Sequence, residues 1–117
     1  MNLGSALFDM GRLDEALREH SEAVRLEPAS ADAHYNLAYT LQRAGRLPEA
    51  VAEYEATLRL EGESADVRIA LGAALERLGR ARDAAPHYRE ALRLKPDSAE
   101  ARAGLARTQT GARSRRP

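Results

Sequence analysis

The sequence predicts an all-α fold in which antiparallel helix pairs stack in a row, and three observations support this prediction. The phrase GRLDEA at residues 11–16 returns as GRLPEA at 45–50 and as GRARDA at 79–84, at a constant interval of 34 residues. Apolar residues within each interval recur three and four positions apart, which is the spacing of a helix face. No stretch alternates apolar and polar residues over the length of a strand. Because self-similarity at a fixed interval indicates a repeat architecture, each interval is interpreted as helix, turn, helix.

The ends of the helices can be assigned from residues that recur at the same interval. The first helix of each unit is predicted to end at a glycine, because glycine adopts the left-handed backbone that often closes a helix. These glycines are Gly11, Gly45 and Gly79. A serine then offers an N-cap oxygen to the first helix of the next unit. These serines are Ser30, Ser64 and Ser98.

The chain of 117 residues is expected to form a single domain over residues 1–109. Its repeats cover about residues 1–30, 31–64 and 65–98. Residues 99–109 are predicted to form a polar capping helix, which covers the last repeat and faces water. Residues 110–117, TGARSRRP, are predicted to be a disordered basic tail.

The repeated unit resembles the tetratricopeptide repeat, a pair of antiparallel helices 34 residues long. The family pattern W-x2-L-G-x2-Y followed by A-x3-F corresponds in the middle unit to His34-x2-Leu37-Ala38-x2-Leu41 followed by Ala50-x3-Tyr54. The resemblance covers residues 1 to about 109. It implies a right-handed superhelical stack of three repeats plus a C-terminal capping helix, with the first helices lining a concave face. His20 and His34 stand where the family has aromatic residues, so each is expected to be a packed, hydrogen-bonded histidine rather than a metal ligand.

Composition and missing motifs exclude several classes of function. Basic and acidic residues balance at 18 each, so no specific nucleic-acid partner is expected. No apolar run approaches a membrane span and the N-terminus is a poor secretory signal, so a cytoplasmic protein without a membrane partner is expected. No nucleophile, phosphate-binding or metal motif occurs, so we expect no enzymatic activity, cofactor or metal. Abundant Arg and Ala beside a single lysine, Lys95, indicate a bacterial source.

The predicted function is that of a protein–protein interaction scaffold, which binds an extended peptide segment of a partner in the concave groove. Tyr35 and Tyr39 offer flat contact area with a polar tip, and Asn2 and Asn36 offer amides to a peptide backbone, as repeats of this family commonly do. In the alternative interpretation, both tyrosines pack between neighbouring first helices. The predicted groove residues are Asn2, Ser5, Asp9, Asp32, Tyr35, Asn36, Tyr39, Gln42, Arg43, Ile69, Ala73, Glu76 and Arg77.

One subtype of groove is not expected. The family members that clamp the acidic C-terminal tails of heat-shock chaperones use Lys, Asn, Asn, Lys and Arg. The matching positions here hold Met1, Ser5, Asn36, Asp66 and Ala70. Because only Asn36 agrees and Asp66 repels a carboxylate, the sequence favours a peptide of mixed charge instead.

Two other functions stay open. The first helix lacks its opening turn, which leaves Leu3, Leu7, Phe8 and Met10 poorly covered and favours a homo-oligomer assembled through the N-terminal end. In the second alternative, the chain is a docking arm cut from a larger multidomain protein. The identity of the protein or peptide partner is not encoded in any motif.

Overall fold

The computed structural model describes the backbone of residues 3–114 and the side chains of residues 11–109. The described backbone forms six α-helices and contains no strand, which confirms the predicted all-α class. The helices are α1 (Leu3–Leu26), α2 (Ala31–Arg43), α3 (Leu47–Glu61), α4 (Ala65–Arg77), α5 (Ala81–Leu94) and α6 (Ala99–Ser114). The chain divides into two compact units, an N-terminal unit Met1–Leu60 and a C-terminal unit Glu61–Pro117.

The predicted serine caps are present at three helix starts. The hydroxyl of Ser30 accepts the backbone N–H of Ala33 at 3.2 Å. Ser64 and Ser98 make the equivalent bonds at the starts of α4 and α6, at 3.3 and 3.2 Å. Each cap satisfies one of the N–H groups that a helix start leaves without an intrahelical acceptor.

Two of the three predicted glycine turns are confirmed. Gly45 and Gly79 have φ of 80° and 79°, the left-handed region that glycine reaches without steric penalty. After each glycine the chain bonds back to the preceding helix: the N–H of Arg46 donates to the carbonyl of Leu41, and that of Arg80 to Leu75, both at 2.9 Å. This six-residue closure is the usual glycine-terminated helix end, and it reverses the chain between α2 and α3 and between α4 and α5.

The third predicted turn, at Gly11, is wrong. Helix α1 is continuous from Leu3 to Leu26 and passes through Gly11, which has no positive φ. Glycine inside a helix costs about 1 kcal/mol relative to alanine. The segment Leu3–Met10 is only about two helical turns long. If it folded back on the following helix, the small apolar area that it buried would not compensate for the helical hydrogen bonds broken by the turn. Helix α1 packs on α2.

The core of the N-terminal unit is built from small and aliphatic residues around one aromatic ring. Ala38, Ala50 and Tyr54 are fully buried, and Leu37 and Leu41 are nearly so. Small residues at these positions allow the helix backbones to approach closely, and the Tyr54 ring fills the remaining space. Burying one such ring stabilises the fold by about 1.5–3 kcal/mol.

The core of the C-terminal unit centres on Tyr88, whose ring lies between two glycines. Tyr88 on α5 is 1% exposed. An ideal Cβ on Gly72 of α4 would lie 2.9 Å from its Cζ, and one on Gly104 of α6 would lie 2.3 Å from its Cε1. Both distances are shorter than carbon–carbon contact, so the absence of a side chain at each glycine makes room for the ring.

Helix α6 is longer than the predicted capping helix. It continues to Ser114, so the segment from Thr110 to Ser114, predicted to be disordered, is helical. Each residue added to an existing helix gains one hydrogen bond for the one residue that it fixes. No proline lies between the start of α6 at Ala99 and Pro117 to end the helix earlier. Residues 115–117 lie outside the described residues.

Candidate functional site

Helix α2 carries most of the predicted binding residues of the N-terminal unit on one exposed side. Leu37, Ala38 and Leu41 are buried, which orients the helix. The opposite side holds four exposed residues at intervals of four, three and four, the spacing of a single helix face. We call this row, Asp32, Asn36, Tyr39 and Arg43, the α2 stripe.

The two tyrosines of α2 have different roles. Tyr39 is 52% exposed, so most of its ring is available to a partner. Tyr35 is half-buried, and its ring lies edge-on to Tyr54 of α3, with 5.9 Å between centroids and 63° between planes. This geometry is favourable for aromatic pairs. Tyr35 therefore packs against the second helix of its own pair.

Gln42 is engaged inside the unit. The Tyr54 hydroxyl donates to Gln42 Oε1 at 2.6 Å. Burial raises the pKa of Tyr54, so this hydroxyl stays protonated and needs an acceptor. Gln42 supplies that acceptor, which fixes α3 against α2.

A cleft of about 280 Å³ lies beside the exposed tyrosine, between α1 and α2. Leu13 and Ala16 contribute apolar surface, while Arg12 and Arg43 contribute guanidinium groups. An arginine side chain offers a planar set of donors that matches a carboxylate, and its stem offers apolar surface. The cleft can accordingly receive a side chain beside the Tyr39 ring and an acidic group at its edge.

The C-terminal unit keeps the positions of this stripe but not its chemistry. The residues 34 positions further on are Asp66, Ala70, Ala73 and Arg77, so alanines replace the amide and the aromatic ring. Asp66 is exposed, and its carboxylate accepts from Lys95 Nζ at 3.5 Å. With the half-buried Ile69 it lines a cavity of about 640 Å³, whose other walls are the end of α5 and the start of α6.

Glu76, the counterpart of Gln42, is also held within its unit. It accepts from the Tyr88 hydroxyl at 2.5 Å and from the Arg107 guanidinium at 3.0 and 3.1 Å. The Arg107 hydrogen bond lowers the pKa of Glu76 against the effect of burial, and the Tyr88 hydroxyl adds to this. The carboxylate therefore joins α4, α5 and α6, and the predicted groove residue has a structural role.

Three predicted residues cannot be placed in this way. Asn2 lies outside the described residues, and Ser5 and Asp9 lie on α1 outside the described side chains. Their assignment to a peptide-binding groove stays a prediction.

Sequence reasoning missed two features of the site. The tyrosine-to-amide and tyrosine-to-carboxylate bonds could have been found, because Tyr54 and Tyr88 are one repeat apart and so are Gln42 and Glu76. The contribution of Arg12 to the cleft was missed because residues 11–16 were interpreted as a turn.

No three His, Asp or Glu side chains among the described residues come together in a way that could hold a metal ion. No helix among them combines the length and the apolar character needed to cross a membrane.

Comparison with known proteins identifies the repeat. The family model described as "TPR repeat" matches residues 4–45, and the one described as "Tetratricopeptide repeat" matches residues 29–97. No curated protein sequence matches the chain.

Solved structures with the same fold cover nearly all of the chain. The first TPR domain of Spaghetti (RPAP3), bound to an HSP90 peptide SRMEEVD, is 22% identical, with a TM-score of 0.82 over 93% of this chain and 86% of that one. MamA is 20% identical, with a TM-score of 0.83 over 96% of this chain and 66% of that one. YrrB, described as a TPR protein with an unusual peptide-binding site, is 26% identical, with a TM-score of 0.76 over 89% of this chain and 54% of that one.

These likenesses agree with the helix pairs described above. They confirm the predicted fold class, an all-α tetratricopeptide stack. Since one tetratricopeptide model matches more than half of the residues, this chain belongs to the tetratricopeptide repeat family.

Proposed function

We propose that this chain is a non-enzymatic protein-interaction scaffold that binds an extended peptide segment of a partner protein along the α2 stripe. The observation that carries the proposal is the exposed Tyr39 ring beside an open cleft. A large aromatic ring left half in water contributes strongly when a partner covers it, because tyrosine combines apolar area with few rotatable bonds.

The chemistry of the stripe describes the peptide that would fit. The exposed Asn36 amide offers a donor and an acceptor to a peptide backbone. Asp32 lies at one end and Arg43 at the other, so the complementary segment carries a basic residue, an apolar anchor and an acidic residue in that order. The anchor would enter the cleft beside Tyr39.

Structural neighbours support peptide binding as the general mode. The Spaghetti domain is bound to an HSP90 peptide, and YrrB is described as having a peptide-binding site. An acidic chaperone tail is nevertheless a poor match here. Asp66 and Ala70 occupy positions where the chaperone-binding pattern has cations, and Asp66 already pairs with Lys95.

The proposal is tested by selecting short random peptides on the purified chain and measuring their affinity by fluorescence anisotropy. Tyr39→Ala should weaken the selected peptides by roughly tenfold or more, because it removes the main contact area. The same variant should unfold in urea within about 0.5 kcal/mol of wild type, because the ring is largely exposed. Tyr35 is left unchanged because its contact with Tyr54 makes it part of the packing.

Leu60→Ala is the matched control. Leu60 is another large side chain, 43% exposed, on α3 rather than on the stripe. Its truncation should leave peptide affinity unchanged. Peptides that bind Tyr39→Ala as tightly as wild type, or that lose affinity equally with Leu60→Ala, would contradict the assignment of the stripe.

The other predicted functions have no specific support. Assembly through the N-terminal end concerns Leu3, Leu7, Phe8 and Met10, whose side chains lie outside the described ones. The docking-arm hypothesis and the bacterial and cytoplasmic assignments likewise stay predictions.

A further inference from the structure

Each unit joins its first helix to its second through one polar pair at the same place in the repeat. In the N-terminal unit, His34 of α2 meets Glu53 of α3. In the C-terminal unit, Arg68 of α4 meets His87 of α5. Both members are displaced by 34 residues between the units, so the two pairs are equivalent. The histidine lies on the first helix in one unit and on the second helix in the other.

The surroundings of His34 demand a charged ring. Its Nδ1 lies 2.6 Å from Glu53 Oε1, and its Nε2 lies 2.8 Å from the carbonyl oxygen of Pro28. A carboxylate and a carbonyl only accept, whereas a neutral imidazole has a single N–H. The imidazolium alone can donate to both oxygens at once.

Electrostatics agree with this geometry. Burial lowers the pKa of His34, but the hydrogen bonds that its ring donates to Glu53 and Pro28 and the charge of Glu53 outweigh this effect, so the pKa is raised overall. Arg59 on α3 opposes this shift weakly.

The hydrogen bond between Arg68 and His87 requires the opposite state of the histidine ring. Its Nδ1 lies 2.9 Å from Arg68 Nη1. A guanidinium only donates, so this nitrogen must accept and therefore carries no proton. Arg68 is anchored by two hydrogen bonds to Glu63, at 2.6 and 2.8 Å, which limits its freedom to move away. Protonating His87 at Nδ1 would direct two donors and two positive charges at each other.

We propose that the pairs His34–Glu53 and Arg68–His87, which we call the two histidine clasps, respond to pH in opposite directions. Acidification stabilises the packing of α2 on α3 and destabilises the packing of α4 on α5. The relevant window is about pH 5.5 to 8, where histidine is the side chain that ordinarily titrates. The charged groups around the clasps are Glu53 and Arg59 for His34, and Arg68, Glu63, Glu90 and Arg93 for His87. Their mutual hydrogen bonds lower the pKa of Glu63 and Glu90 and raise the pKa of Arg68 and Arg93, so these four groups keep their charges across the window.

The sign of each effect follows from linkage. His34 binds its proton more tightly in the folded unit, so its contribution to stability is present at low pH and is lost as the pH rises through the raised pKa. The hydrogen bond from Arg68 requires an unprotonated Nδ1 on His87, so this contact is present at high pH and is lost when that nitrogen binds a proton.

The chain supplies its own matched controls, because the equivalent residue is known at each position. His34→Arg copies Arg68 and keeps a permanent positive charge opposite Glu53. His87→Glu copies Glu53 and keeps a permanent ion pair with Arg68. Each variant should retain a clasp while removing its pH response. His20→Gln removes the remaining histidine, on α1, and should alter neither response.

The experiment is amide hydrogen exchange by NMR on the full chain at about pH 5.5 and 8, expressed as protection factors corrected for intrinsic exchange. On acidification, protection of α3 should rise and protection of α5 should fall, by about tenfold for each pKa unit of linkage. His34→Arg should abolish the first change alone, and His87→Glu the second alone. A change of the same sign in both helices, or responses that survive these substitutions, would overturn the proposal.

A second measurement uses wild type and does not depend on the folding of any variant. Ring ¹⁵N shifts should show His34 protonated on both nitrogens up to a higher pH than histidine in a short peptide. The neutral His87 ring should carry its proton on Nε2. The proposal would be contradicted if His34 lost its proton at the same pH as histidine in the peptide, or if the neutral His87 ring carried its proton on Nδ1.

Discussion

Gly104→Ala tests whether the Tyr88 ring is held between two helices in the C-terminal unit. An ideal Cβ at Gly104 lies 2.3, 2.4 and 2.7 Å from Cε1, Cζ and Cδ1 of Tyr88. Carbon atoms in contact are about 3.5–4.0 Å apart, so the ring or the helix must move by more than about 1 Å. The ring has little room, because Gly72 contacts its other side and Glu76 holds its hydroxyl.

The magnitude follows from two opposing effects. Overpacking a well-filled core costs about 1–3 kcal/mol, and the blocked ring places this site toward the upper limit. Alanine is favoured over glycine inside a helix by about 1 kcal/mol. The free energy of unfolding should therefore fall by about 2 kcal/mol, which for a chain of this size lowers Tm by roughly 6–10 °C.

Urea unfolding followed by helical circular dichroism measures this change. A double-mutant cycle with Tyr88→Leu then identifies its cause, because the added methyl group should cost far less once the ring is gone. If Gly104→Ala is as stable as wild type, or if the cost is the same with leucine at position 88, the ring is not clamped and this account of the core is wrong.

Two further substitutions test the backbone. Gly11→Ala should stabilise α1 by up to about 1 kcal/mol in urea unfolding, because Gly11 lies inside a helix and an added Cβ would meet nothing beyond the adjacent helix backbone within 4 Å. A loss of stability would indicate the left-handed turn that the sequence predicted there. Gly79→Ala should cost about 1–2 kcal/mol in the same assay, because φ is 79° although space for a methyl group is open; no loss would mean that the turn does not require glycine.

Much of the fold could be predicted because its determinants are local. Helix caps, helix ends and the spacing of apolar residues all depend on residues close together in the chain. The predicted caps at Ser30, Ser64 and Ser98 and the predicted turns at Gly45 and Gly79 were therefore correct. Local signals failed at Gly11, where the same phrase lies inside a helix. A turn forms there only if packing across it outweighs the helical bonds it breaks, and the phrase itself carries no information about that balance.

Only part of the candidate site could likewise be predicted from the sequence. Sequence reasoning placed six residues of α2 in the predicted groove, and four of them are exposed on one side of the helix: Asp32, Asn36, Tyr39 and Arg43. The other two, Tyr35 and Gln42, are half-buried. Helical phase could not distinguish Tyr35 from Tyr39, because the difference depends on where the Tyr54 ring of another helix lies. It also could not show that Gln42 and Glu76 already accept hydrogen bonds from buried tyrosines.

The sequence by itself determined the repeat length, the helical class, the caps and two of the turns, because each depends on the chain's interactions with its own near neighbours. Tertiary structure decided which polar residues remain available to a partner and which groups face His34 and His87. Those properties depend on groups brought together across a turn, such as His34 with Glu53 and Arg68 with His87. Their distances and burial are set by how the helices pack.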